Sequence, residues 1–233
     1  LDNAPEWRFA DWYKKLLTND FTYSSCIGKK TSYSDVKRFA RCVGIGDVQY
    51  SSSGPYTVQV FEGDFAGAPD STWTQAGSAI NITSATKNVY LALGGDTSSL
   101  VVGTHDDVKI YRLAGSSEWV QRGPTILNPV DSVSGIVQVM SVDVSADGET
   151  VFVCRWHSND STLKYTAYKW DSNASNWSQY SQILSFSYAY GLIQDTIEET
   201  PGGINIYSYK KHMAASDDGN TLAVISGFKQ ISV

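Results

Sequence analysis

Ser145-Ala146-Asp147-Gly148-Glu149-Thr150-Val151-Phe152-Val153 decides how this chain is read. Asp-Gly supports the positive φ of a tight two-residue hairpin turn, and the Thr and β-branched residues that follow fit a pleated surface, so the stretch is a turn entering a strand. The same order returns at Ser216-Asp217-Asp218-Gly219-Asn220-Thr221-Leu222-Ala223-Val224. A weaker copy runs from Gly95 to Val102, and a still weaker one lies around Asp35 to Val43. From about residue 34 onward the pattern has period 2, as strands require.

A second element alternates with these turns. Trp73-Thr74-Gln75-Ala76-Gly77 with Ile80, Trp119-Val120-Gln121-Arg122-Gly123 with Ile126, and Trp177-Ser178-Gln179-Tyr180 with Ile183 share W-x-Q and an aliphatic residue further on. Each Trp follows an aromatic-bearing strand: Val58 to Phe61, Val108 to Tyr111 and Tyr165 to Tyr168. A turn, an inner strand, a further strand and a Trp-bearing outer strand make a four-stranded blade, and a blade has too little core to stand alone. The expected fold is all-β: a β-propeller, or a large part of one, built from about four irregular four-stranded units. One more W-x-Q strand is due after Val224. Either Glu6-Trp7-Arg8-Phe9 supplies it or the ring is larger than this chain, since an unfinished edge needs a partner.

The first residues differ. Asn3-x-x-Glu6 resembles a capping box, and Phe9, Trp12, Tyr13, Leu16 and Leu17 follow helical spacing, which predicts a short α-helix over residues 4–18. The domains expected are therefore 1–33, helix and connecting segment, and 34–233, propeller repeats with an incomplete last blade.

A net charge of −6 argues against a nucleic-acid partner, whose affinity depends on clustered Lys and Arg. No apolar run is long enough to span a bilayer as a helix. The chain starts at Leu1, and four N-x-Ser/Thr sequons, at Asn81, Asn159, Asn173 and Asn176, would be glycosylation acceptors in a secretory compartment. Of three cysteines, Cys26 and Cys42 are the candidate disulfide pair if that compartment is oxidising, and Cys154 reads as a buried strand residue.

The order of apolar strand, W-x-Q-x-G-x-x-I, spacer and S-x-D-G-x-T resembles the divergent FG-GAP or integrin-α-like propeller repeats of secreted and cell-surface proteins. The resemblance covers roughly residues 34–233, best at the three tryptophans and the two Asp-Gly turns. It implies a propeller outside the cytosol, in the extracellular space or an organelle lumen. The family's calcium-binding loops imply a candidate metal set at Asp143, Ser145 and Asp147, although Val151 stands where a further carboxylate would help. The Asp box of sialidase propellers is not met.

No catalytic signature is present: neither G-x-S-x-G, H-E-x-x-H, G-x-x-x-x-G-K nor C-x-x-C, and Gly44-x-Gly46 lacks a third glycine. His105, His157 and His212 are scattered. Arg155-Trp156-His157 sets an aromatic ring beside a cation and an imidazole, a combination that could stack on a sugar and bond its hydroxyls, or simply pack between blades. Glu198-Glu199 offers adjacent carboxylates that a strand would point to opposite faces. The function expected is a noncatalytic interaction module, a rigid surface for protein partners in an extracellular or lumenal assembly without a cofactor beyond that calcium set; the alternative is a carbohydrate-binding propeller using loop aromatics.

Overall fold

A computed structural model describes residues 22–27, 37–44, 56–63, 74–82, 89–129, 135–181, 184–187 and 213–224. The helix expected over 4–18, Glu6 to Phe9, Trp73, Glu198-Glu199 and His212 lie outside them. Among the described residues every element is a β-strand.

The first sheet holds β1 (Thr22–Ile27), β2 (Lys37–Gly44), β3 (Tyr56–Gly63), β4 (Thr74–Gln75) and β5 (Ile80–Ile82). The second holds β6 (Tyr90–Leu93), β7 (Ser99–Gly103), β8 (Asp107–Ala114), β9 (Glu118–Gln121) and β10 (Ile126–Leu127). The third holds β11 (Val137–Val144), β12 (Thr150–His157), β13 (Thr162–Asp171), β14 (Asn176–Gln179) and β15 (Leu184–Ser187), and a fourth shows β16 (Met213–Ala215) and β17 (Leu222–Val224). Each complete sheet is an antiparallel meander whose fourth position is filled by two short strands, both paired to the third strand. β1 pairs with β2 across Cys26–Ala40, so the first sheet begins before residue 34.

The break in the outer strand explains the W-x-Q-x-G-x-x-I spacing. Trp119 lies on β9 and Trp177 on β14, the first halves; Ile80 and Ile126 lie on β5 and β10, the second halves, and all four are buried. Between the halves, Gln75 Nε2 donates to Gly77 O, Gln121 Nε2 to Gly123 O and Gln179 Nε2 to Ser181 O, each at 3.0 Å. The glutamine thus braces the kink that divides the strand.

The first strands of successive sheets, β1, β6, β11 and β16, lie next to one another, and the sheets face each other. Neighbouring strand residues serve opposite interfaces. On β7, Leu100 and Val102 face the first sheet while Val101 faces the third; on β12, Val151 and Val153 face the second sheet while Phe152 and Cys154 face the fourth. Both faces being covered, these middle strands carry apolar runs, Leu100 to Val102 and Val151 to Cys154, instead of alternating with polar residues.

Two devices recur, each at two of the three interfaces among the described residues. The first is the indole lock: Trp119 Nε1 donates to Ala76 O, and Trp177 Nε1 to Arg122 O, both at 2.8 Å across to the preceding sheet. Each ring lies over the next residue, Gly77 or Gly123, where a Cβ would come within 2.8 Å of Trp119 or 2.5 Å of Trp170. The third sheet has Ser181 in this place.

The second device is turn nesting. Ser145 Oγ donates to Asp147 Oδ1 at 2.6 Å, Asp147 Oδ1 accepts Glu149 N, and Ser145 Oγ accepts Thr150 N. Ser216, Asp218, Asn220 and Thr221 repeat this network. The turn differs from the two-residue hairpin expected: Gly148 N donates to Ser145 O, and Gly148 alone is left-handed, at φ 72, within a longer loop. Thr97 takes the same place in the second sheet at φ 55. The turns join in sequence, Asp96 N donating to Ala146 O at 2.7 Å and Ala146 N to Asp217 O at 2.8 Å.

Gly115 and Gly123 are both left-handed, yet nothing lies within 4 Å of a Cβ on Gly115. Gly115→Ala is expected to cost about 1 kcal/mol from backbone strain alone. Gly123→Ala adds overlap with Trp170 and should cost about 1–3 kcal/mol more. Urea unfolding of the two variants measures the difference; equal losses would count against the close packing of Trp170 on Gly123.

Candidate functional site

Turns 104–106 and 158–161 and residues 128–129 and 135–136 lie at the edge of the second and third sheets opposite the nested turns. The third sheet is lengthened here. β12 has 8 residues against 5 in β7, and counting from their paired starts, Ser99 and Thr150, sets Arg155 where the second sheet has Thr104. Thr104 closes its own turn, its hydroxyl bonded to Asp107 Oδ1 at 2.6 Å.

Arg155 is 2% exposed. Its Nε donates to Asn128 Oδ1 at 2.9 Å, its Nη1 to the Tyr168 hydroxyl at 3.1 Å, and its guanidinium carbon lies 5.5 Å from the Tyr168 ring centre. Nη2 has no hydrogen-bond partner among the described residues. Asn128 is itself fixed, its Nδ2 donating to His105 O and Val137 O, each at 2.9 Å, so its oxygen is aimed at the guanidinium. Among the described residues no carboxylate pairs with Arg155, whereas Arg38, Arg112 and Arg122 are all held by acids.

The trio singled out in the sequence does not converge. Arg155 and His157 face the second sheet, while Trp156 faces the fourth and packs against the cluster of Phe152, Cys154 and Tyr165. Trp156 is thus a strand residue between sheets rather than a loop aromatic, because consecutive strand residues point to opposite faces. His157 is buried, with Lys164 Nζ 3.4 Å from its Nδ1, and Lys164 pairs with Asp160 at 3.1 Å. Asn128 and Tyr168 escaped the sequence reading, since a lone Asn before Pro and one of 14 Tyr carry no spacing signal.

Asp143, Ser145 and Asp147 do not assemble a cation site. Asp143 is buried on β11, where Oδ2 accepts Ala215 N at 2.7 Å and Oδ1 accepts Val144 N at 3.0 Å, so its carboxylate fastens the fourth sheet. Ser145 and Asp147 are engaged within their turn. Among the described residues no three His, Cys, Asp or Glu side chains form a metal-ligating group.

The Cys26–Cys42 pairing is not formed. The β1–β2 register sets Ser24 opposite Cys42 and Cys26 opposite Ala40, and Cys42 is a buried free thiol. Asn81, Asn159, Asn173 and Asn176 are all exposed, on β5, in two hairpin turns and at the start of β14. No helix among the described residues is long and apolar enough to cross a membrane.

Neither a family model nor a curated protein matches this sequence. Solved structures do resemble it in fold. Kluyvelomyces marxianus Hsv2 is 13% identical, with a TM-score of 0.39 over 70% of this chain and 46% of its own. The Pseudomonas aeruginosa periplasmic gluconolactonase PpgL is 13% identical, with a TM-score of 0.42 over 82% of this chain and 64% of its own. A functionally unknown protein from Desulfotomaculum acetoxidans is 12% identical, with a TM-score of 0.40 over 91% of this chain and 67% of its own. The chain therefore spans less than two thirds of the first two. One expectation is corrected: with a gluconolactonase among these structures, the exclusion of enzymatic activity, which rested on missing sequence motifs, is withdrawn. No activity or residue role is carried over from it.

Burial pushes the Cys42 thiol up to about 12 from an ordinary 9.0. Burial likewise raises Cys154 to about 12, against smaller lowering influences from the Tyr165 hydroxyl and the Arg155 charge. Neither thiol should react with a disulfide reagent at pH 8 until denaturant is added. Above the ordinary value of 9.0 the unfolded chain gives up thiol protons that the folded chain keeps. Stability should therefore hold below that pH and fall as the pH rises toward about 12. Rapid labelling of Cys42 or Cys154 in the native protein at pH 8 would contradict this burial.

Proposed function

We propose that the sheets are consecutive blades of a β-propeller, of the kind the FG-GAP and integrin-α-like resemblance suggests, and that the rim around Arg155 is its surface for a protein partner in an extracellular or lumenal assembly. The observation that carries this reading is the exposure of large aliphatic side chains there. Leu127, at the end of β10, is 70% exposed and Ile136, just before β11, is 57% exposed, and the intervening Asn128 is bonded to both sides of the rim. Apolar side chains flanked by Asn128, Asp160 and Lys164 match the apolar centre and polar border of a protein interface. Sheets covered on both faces and joined turn to turn supply a rigid backing, which lowers the ordering cost of association.

A second reading has its own observation. A shallow hollow on the third sheet is lined by Lys169, Trp170, Asp171, Ser172, Ser178, Gln179 and Tyr180, with Lys169 Nζ 5.1 Å from the ring centre of the exposed Tyr180. An aromatic ring among hydroxyls, amide and charges is chemistry that a saccharide uses. Glycan-array binding that disappears in Tyr180→Ala would favour this reading over the first.

The two aliphatic residues are exposed, so replacing both by Asp should leave folding stability within about 1 kcal/mol. Cross-linked partners recovered with the full chain from its native compartment should fall at least tenfold with the Leu127→Asp, Ile136→Asp double variant. Undiminished recovery would move the working surface elsewhere.

A further inference from the structure

From the unused hydrogen-bonding capacity of the Arg155 guanidinium we propose that the rim contains a carboxylate-binding site, made by Arg155 Nη2 together with the Tyr168 hydroxyl. This deepens the reading of the rim as a surface for a protein partner by naming the group that the partner presents.

The fold itself does not call for a cation here. At the equivalent place the second sheet uses Thr104, neutral and satisfied within its own turn. Arg155 instead brings a full charge to a position 2% exposed, where its partners are a neutral amide and a neutral phenol. A buried charge without an opposite charge costs several kcal/mol, so proteins ordinarily pair it. Three other arginines obey that rule: Arg38 sits 2.6 Å from Glu62, Arg112 3.2 Å from Glu149 and Arg122 2.8 Å from Glu149. Arg155, by contrast with these three, has no acid beside it among the described residues. Of the neighbouring groups, Lys164 and His157 are bases, and the Asp160 carboxylate pairs with Lys164 at 3.1 Å rather than with Arg155.

The donor geometry selects the ligand class. Nη1 donates to the Tyr168 oxygen, which leaves the phenolic hydrogen free to donate onward beside Nη2. Two adjacent donors, one charged, match the two oxygens of a planar carboxylate. Asn128 holds the guanidinium from its Nε side and is braced by two backbone carbonyls, so the donors are oriented before any ligand arrives. Asn128, Lys164 and Tyr168, which surround the guanidinium, are each partly exposed, placing it one side chain below the rim.

The test uses the full chain at constant ionic strength, titrated with sodium acetate, sodium phosphate or sodium chloride, with thermal unfolding and Arg-side-chain NMR as readouts. Acetate should raise the unfolding temperature saturably above the chloride series and shift the Arg155 Nη2 resonance. Tyr168→Phe should weaken the acetate response about tenfold, the loss of one charge-assisted hydrogen bond of about 1.4 kcal/mol. Arg155→Gln, which can still bond Asn128, should abolish it. A phosphate response stronger than acetate would overturn the carboxylate assignment in favour of a tetrahedral anion. An acetate effect equal to chloride, or one that survives Arg155→Gln, would overturn the site altogether. The NMR readout on wild-type protein decides the question even if a variant fails to fold. Failure here leaves the Leu127 and Ile136 interface standing, since that reading is measured with a different variant pair.

Discussion

Covering both faces of each sheet is the constraint on which the rest of the structure depends. A four-stranded meander with Leu, Val and Phe along its middle strands exposes apolar surface above and below, and either exposed face would be an association hazard. Laying sheets side by side removes both faces at once. Among the described residues, three apolar clusters therefore lie between sheets, and none lies within one. Stability in such an array is carried by neighbour contacts, as in repeat proteins generally.

Apolar contact is nondirectional, so something else must fix how far and at what angle each sheet sits from the next. The indole lock does this at the outer edge, because a ring held 2.8 Å from a carbonyl over a glycine has one position available. The nested turns do it near the first strands, through backbone bonds from Asp96 to Ala146 and from Ala146 to Asp217. The charges follow the same logic. Glu149 sits between Arg112 and Arg122 of the preceding sheet, and Arg122 also lies 4.5 Å from the centre of the Trp170 ring.

Against this regular background, departures from the repeat mark where function can reside. Ser181 stands where the first two sheets have Gly77 and Gly123, and the outer part of the third sheet carries an exposed Tyr180. β12 and β13 run beyond their second-sheet counterparts and bring Arg155, His157 and Lys164 with them. The second of these changes introduces a buried charge with an unused donor.

The sequence alone determined the strands after residue 34, the places of the turns and their order, because Asp-Gly loops, apolar runs and W-x-Q are local signals with local causes; β1 escaped it. It also placed Trp119 and Trp177 correctly on outer strands. The tertiary structure decided what those residues touch. The glycine after W-x-Q is required by a ring from a different sheet, and Asp143, whose spacing suggested a metal ligand, is spent on the Ala215 amide. Cys26 and Cys42 are separated by a register that no spacing reveals. Arg155, Trp156 and His157 are adjacent in sequence and divided in space, because a strand sends neighbours to opposite faces, and with sheets on both sides those faces belong to different interfaces.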